Sequence, residues 1–212
     1  MTRPVIVLGA GGHAKVLIDA LQAGSIPIRG ILDNQAAKLG AEILGVPVLG
    51  TDEKLMVWKP DEVILVNALG STESLLPRAA LHERLRARGY SFLSVVHPSA
   101  VVSPHAYLGE GAQVMAGAVV QAGARLGDGC VVNTGALVDH DCAFEGHVHV
   151  APGVTISGGV TVGSHTHIGT GATVIQGIRI GSHCLVAAGS VVIRDVPDGA
   201  RVAGVPAREI PS

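Results

Sequence analysis

The 212-residue sequence predicts two parts: a small α/β domain with a parallel sheet over residues 1–95, then a parallel β-helix with a C-terminal cap over residues 96–212. Three observations carry this. Large apolar residues recur every six positions from Val96 to Val192 without a slip. Glycine supplies 29 residues while aromatics make up only 2%, so the interior must be filled by small and branched aliphatics. The N-terminus reads as a strand, a glycine-rich turn and a helix.

Taken in order, Val5–Leu8 is the first strand, Gly9-Ala10-Gly11-Gly12-His13-Ala14 the turn, and a helical run with Val16, Leu17, Ala20 and Leu21 on its apolar face follows. A second strand, 28–32, ends in Asp33-Asn34. A third, 63–66, leads to Gly70-Ser71 and a helix over 72–88. This is half of a doubly wound, Rossmann-like unit. Its glycines let a diphosphate approach the backbone, the helix N-terminus supplies amide donors, and Asp33 or Asn34 can receive a ribose or base. Fewer than 100 residues supply only three or four strands, too few for a full dinucleotide fold, so a mononucleotide is the better match.

After residue 95 the composition changes. Four residues beyond each large apolar position stands a second column that is mostly small, from Ala100 through Ala136 and Cys142 to Ser190. A period of six fits neither a helix nor simple strand alternation. Three six-residue faces close a coil of about 18 residues, stacked at about 4.8 Å, with the large column inside and the small column at the corners. Glycine clusters one residue before the small column, where a corner needs positive φ. The pattern resembles the hexapeptide-repeat acyltransferases, and that resemblance implies that the coil is left-handed, against the usual crossover rule.

The formal charge of −2 argues against nucleic acid as the main partner. No apolar run is long enough to span a membrane, and the N-terminus lacks a cleavable signal pattern, so a soluble cytoplasmic protein is expected. Cys130, Cys142 and Cys184 form no CxxC, fit a reducing compartment, and fall in the small inward column as packing residues.

Eight histidines lie in the repeat and none in the interior columns, so they face corners or solvent. His147, His165 and His183 stand 18 residues apart and stack on successive coils, as do His149 and His167. A β-helical metalloenzyme of the gamma carbonic anhydrase kind is one alternative, but no two of these histidines have the five-residue spacing of that family's ligand pair, and no metal is expected. The richest stretch is Asn133 to Cys142, with Asp139 and Asp141 flanking His140 and His149 following. His140 projects outward at a corner that a neighbouring prism can cover, and a carboxylate beside it can orient the ring and stabilise its imidazolium.

This stretch, the N-terminal GAGGHAK, Asp33-Asn34 and the terminal segment from Val196 to Ala207 together resemble the bacterial sugar-nucleotide acetyltransferases of the sialic acid O-acetyltransferase group. The resemblance is greatest to the branch acting on nucleotide-linked 4-amino-4,6-dideoxy sugars, such as perosamine or bacillosamine-precursor N-acetyltransferases. It implies an acetyl-CoA-dependent N-acetyltransferase of bacterial surface-glycan synthesis. His140 would be the general base and Asp141 its orienting carboxylate. Asn133 would line the site, His149 would contact the acetyl donor, and Gly158 would offer its N–H to the thioester oxygen. In the N-terminal domain Gly11, Gly12, His13, Lys15 and Gly70 would meet the diphosphate and sugar, and Asp33 and Asn34 the nucleotide. A homotrimer with parallel prisms and a site at each interface follows from the same resemblance. Asn34 stands where a second acidic residue is frequent, which leaves UDP, GDP and dTDP open. O-acetylation of sialic acid or another sugar hydroxyl needs the same base and remains an alternative, as does a non-catalytic nucleotide-sensing scaffold.

Overall fold

The computed structural model describes residues 3–70 and 75–211. It divides into two compact units, Met1–Pro98 and Ser99–Ser212.

In the first unit β1 (Val5–Leu8), α1 (Gly12–Ala23), β2 (Ile28–Leu32), β3 (Glu42–Ile43), β4 (Val46–Gly50), β5 (Ile64–Asn67) and α2 (Leu76–Arg86) follow in chain order. The sheet runs β3-β4-β2-β1-β5, with β1 parallel to both neighbours and only the β3–β4 pair antiparallel. Since the chain leaves β1 first to one side and later to the other, the carboxyl ends of β1, β2 and β5 form a topological switch point, where α/β sheets bind ligands. Five strands replace the three or four expected. The added hairpin turns through Leu44 and Gly45, both at positive φ (50° and 77°), a mirror-image turn written without the Asn-Gly or Asp-Gly that normally marks one. Gln22 on α1 holds it by donating to the Leu44 carbonyl at 2.9 Å.

The apolar face of α1 also differs from expectation. Ala14, Leu17, Ile18, Ala20 and Leu21 are buried, whereas Val16 is exposed, because the stripe turns by one position along the helix. α2 begins at Leu76 with Pro77 in its first turn, where the missing N–H costs nothing, and ends short of the predicted residue 88. Ser71 and positions 72–74 of that predicted helix lie outside the described residues. The core beneath the sheet joins Ile6, Leu8, Leu32, Leu65, Leu81, Leu85 and Phe92. At the end of β5, Arg78 is buried and donates to the carbonyls of Asn67 (2.7 Å) and Leu69 (3.2 Å), pinning the strand exit against α2.

The second unit is a parallel β-helix. Two-residue strands eighteen positions apart pair in parallel, as Val119 pairs with Val101 and Leu137, and the rungs form three sheets, one per prism face. The inward column is buried at every position from Val114 to Val192, each valine contributing about 1.5–3 kcal/mol of burial. Val96, Val102 and Leu108 depart from this: the first is exposed and the others half-buried. The small column fills the corners, and its two buried hydroxyls are satisfied. Thr166 Oγ1 donates to Gly181 O at 2.7 Å and accepts the Cys184 N–H, while Ser190 Oγ accepts the Gly204 N–H. Arg201–Ala203 continues one sheet and is itself paired antiparallel by Arg208–Glu209, which closes the edge a parallel stack would otherwise leave open.

Candidate active site

At the edge between the strands Leu137–Val138 and Ala143–Phe144 the chain turns through Asp139, His140, Asp141 and Cys142. Asp139 Oδ1 accepts the His140 N–H at 2.7 Å and fixes the start of the corner. Asp141 takes the left-handed conformation (φ 59°) that glycine fills at most equivalent corners. That places its carboxylate beside the imidazole, with His140 Nδ1 and Asp141 Oδ2 2.9 Å apart. A carboxylate only accepts, so Nδ1 carries the proton and Nε2 is left as the basic nitrogen. Both side chains stand outside the prism, 63% and 73% exposed. The hydrogen bond that His140 donates to Asp141, then the charge of Asp139, raise the His140 pKa above its ordinary value against an opposing desolvation.

One coil above, Gly158 lies flat against the ring: a Cβ there would fall 2.5 Å from Cε1 and 2.6 Å from Nε2. Among the described residues no backbone carbonyl accepts the Gly158 N–H. The structure therefore brings His140, Asp141 and Gly158 together. Asn133 and His149 form a separate pair on another part of the prism, with Nδ2 and Nε2 3.5 Å apart and the His149 ring 4.8 Å from that of His167. A single β-helix does not unite the two groups. The cavity of about 390 Å³ on the Ala143–Phe144 face is lined by Arg125, Thr161 and Arg179, and not by His140.

All three thiols are free and buried. Burial pushes the Cys142 thiol up, and its Sγ donates to Ser157 O at 3.3 Å, so it is no nucleophile. Among the described residues no cluster of three or more His, Cys, Asp or Glu has the arrangement to hold a metal. The histidine ladders form as the spacing predicts, with rings 5.3 Å (147 to 165) and 4.9 Å (165 to 183) apart. Their exposure falls off along the ladder, with His183 exposed, His165 half-buried and His147 buried, and all three occupy the left-handed corner.

Burial depresses the His167 pKa below 6.5. A histidine that charges more readily unfolded than folded favours the native state above that value and loses the contribution as pH falls through 6.5 toward its folded pKa. The melting temperature should thus drop on acidification from pH 8 to 5, and His167→Asn should flatten the drop. Identical pH slopes for the two proteins would contradict this.

In the first unit Gly9, at φ 101°, is required by the fold, since a Cβ there would meet the Ala68 carbonyl at 3.3 Å. Gly11, Gly12 and Gly70 are not: each has open space around a would-be Cβ and an ordinary φ. Lys15 is exposed one turn into α1, and His13 is half-buried. Asp33 braces the fold and also lines a cavity at the switch point. It is 8% exposed, and its oxygens accept the N–H groups of Ala10 (2.6 Å) and Gln35 (2.8 Å) and the Lys38 ammonium (3.3 Å). Burial acts to raise its pKa, but these donors outweigh it and hold the carboxyl below its usual value. Asp33 thus ties the glycine turn to the end of β2. The switch-point cavity has a volume of about 380 Å³, with Leu32, Leu69, Pro77 and Leu81 on its apolar walls and Asp33, Asn34, Gln35, Asp52 and Arg84 as polar groups. Asn34 Nδ2 donates to Asp52 Oδ2 and the Asp52 N–H donates back to Asn34 Oδ1, both at 3.0 Å, while Arg84 lies 3.5 Å from Asp52. Sequence reasoning missed Asp52 and Arg84, which no motif marks and only the fold brings to Asn34.

Comparison with known proteins supports both units. Residues 4–83 match the PglD N-terminal domain family, residues 105–140 the bacterial transferase hexapeptide (six repeats), and residues 159–194 the hexapeptide repeat of succinyl-transferase. A histidine-to-asparagine mutant of perosamine N-acetyltransferase from Caulobacter crescentus, solved with CoA and GDP-perosamine, is 40% identical, with 99% of this chain and 97% of that one covered and a TM-score of 0.92. The acetyltransferase domain of PglB from Neisseria gonorrhoeae is 39% identical, with 99% and 100% covered and a TM-score of 0.91. UDP-N-acetylbacillosamine N-acetyltransferase of Bacillus subtilis is 41% identical over 116 residues, 53% of this chain and 51% of that protein, so the match spans about half the length of this curated relative.

Proposed function

The chain belongs to the hexapeptide-repeat N-acetyltransferases that share the left-handed parallel β-helix of perosamine N-acetyltransferase, and from that premise we propose that it transfers the acetyl group of acetyl-CoA to the 4-amino group of a UDP- or GDP-linked 4-amino-4,6-dideoxy sugar. The observation that carries this reading is the outward His140–Asp141 pair against Gly158.

At neutral pH the acceptor is largely an ammonium ion and cannot attack until it has released one proton to solvent. His140 Nε2 takes a proton from the amine as its nitrogen attacks the thioester carbon, and Asp141 stabilises the imidazolium that forms. The Gly158 N–H donates to the carbonyl oxygen as it becomes negative, a contribution of about 3 kcal/mol. Collapse breaks the carbon–sulfur bond, and the proton goes to the departing thiolate. The buried thiols supply no covalent intermediate, so transfer is direct within a ternary complex.

The first unit holds the sugar nucleotide. Gly11, Gly12 and Gly70, which the fold does not require to be glycine, leave backbone amides open to the diphosphate beside Lys15 and His13, and the cavity at Asp33 and Asn34 takes the nucleoside. A second copy of the chain, in a homotrimer, brings Asn133 and His149 to the edge that carries His140. The setting is bacterial surface-glycan synthesis in the cytoplasm, where the three free thiols are at home. No described helix is long and apolar enough to cross a membrane.

The test supplies acetyl-CoA with UDP- and GDP-linked 4-amino sugars and, separately, with free sialic acid, following thiol release. Release with a nucleotide amino sugar alone is expected; release with sialic acid alone overturns N-acetylation. Asp52→Ala, which unpins Asn34, should raise KM for the sugar nucleotide about tenfold, the worth of one hydrogen bond to a charged group, and leave KM for acetyl-CoA unchanged. Equal changes in both would remove the cavity from nucleoside binding.

A further inference from the structure

Gly123 sits one coil below Asp141, at the same corner of the prism, with φ 77°. Its conformation does not explain why it is glycine, because Asp141, His147, His165 and His183 hold the same corner conformation at φ 57–60°. Crowding of the coil does not explain it either. A Cβ at Gly123 would stand 3.4 Å from the Asp141 N and Cγ atoms, which is tolerable, but would collide with Asp141 Oδ1. The conflict is confined to one carboxylate oxygen, and the other oxygen of that carboxylate is the partner of His140 Nδ1. At Gly189, with φ 68°, a Cβ would meet nothing within 4 Å.

We infer that Gly123 is a positioning residue for acetyl transfer: its missing side chain leaves the space in which the Asp141 carboxylate lies flat on the coil below and directs Oδ2 at the His140 ring. The inference rests on His140 being the base. Any β-carbon at 123 lifts the carboxylate by roughly 1 Å, and a displacement of that size in a catalytic array costs up to about 100-fold in rate. Gly158 restricts the ring from above and Gly123 restricts the carboxylate from below, so both partners of the hydrogen bond are aimed by absent side chains on neighbouring coils.

The experiment compares Gly123→Ala with Gly189→Ala, which bears the same left-handed backbone cost away from the pair, in the full chain. Gly123→Ala should lower kcat by about 100-fold with both KM values held, and Gly189→Ala should keep kcat. The acid limb of kcat/KM should also move to lower pH in Gly123→Ala alone. The imidazole loses the bond that raises its pKa, while Asp139 keeps part of the effect. Equal kcat values in the two variants overturn the inference. A double-mutant cycle guards against poor folding: once Asp141→Ala has removed the obstacle, adding Gly123→Ala should cost nothing further, and additive losses overturn the inference. If His140→Ala retains the wild-type rate, the assignment of the base fails instead, a result distinguishable from either outcome at 123.

Discussion

His140→Ala is expected to lower kcat for acetyl transfer by about 10²–10⁴-fold, the usual worth of a positioned general base, while the melting temperature stays close to that of the parent protein. The two halves of this expectation have separate causes. The ring bonds Asp141, lies on the face of Gly158 and is mostly in solvent, and exposed side chains without buried partners contribute within about 0.5 kcal/mol to stability. Its chemical role has no substitute nearby: Asp139 bonds the corner backbone and the thiols are buried. The pH dependence follows with a definite sign. The base must be neutral to accept a proton, so kcat/KM should fall as pH drops through a value above 6.5, since the Asp141 bond and the Asp139 charge both favour the imidazolium. Asp141→Asn should move that limb downward. Thiol release measured from pH 5 to 9, with circular dichroism on the same samples, checks both; a His140→Ala enzyme of near-normal rate would remove this residue from the mechanism.

Val138→Asp, two residues earlier, should have the opposite signature and abolish the fold. Val138 is fully buried in the inward column, where no polar atom waits for a carboxylate. An unpaired buried charge costs about 3–5 kcal/mol, added to about 1.5–3 kcal/mol of lost valine burial. A domain has only about 5–15 kcal/mol in total. The variant should lose its cooperative melting transition, or pass into the insoluble fraction, and activity should vanish with it. A soluble Val138→Asp protein melting within a few degrees of the parent would show that the six-residue column does not face inward at this coil.

These two residues show how evenly the β-helix was written in the chain. Each position in a six-residue repeat has one environment, so Val138 is assigned inward and His140 outward by counting alone, and the strand registers at 137 and 143 follow. Val96, Val102 and Leu108 obey the same count and are not fully buried, because a column position is interior only where coils lie on both sides of it. The first unit was less legible. Its β3–β4 hairpin turns at Leu44-Gly45, a pair with no turn signature, and Val16 faces away from the core that hydropathy alone would assign it.

The sequence by itself determined the repeat, the side of the coil on which each residue lies, the burial of the cysteines and the juxtaposition of His140 with Asp141, because all of these depend on spacing along the chain. Tertiary structure alone decided that Asp33 braces the glycine turn, that Asp52 and Arg84 join Asp33 and Asn34 at a cavity, and that Gly123 and Gly158 confine the two partners of the dyad. Those relations depend on which atoms meet across strands and coils. A contact of 3 Å between residues 18 or more positions apart has no local chemical signature; it exists only once the backbone has set both ends of the gap.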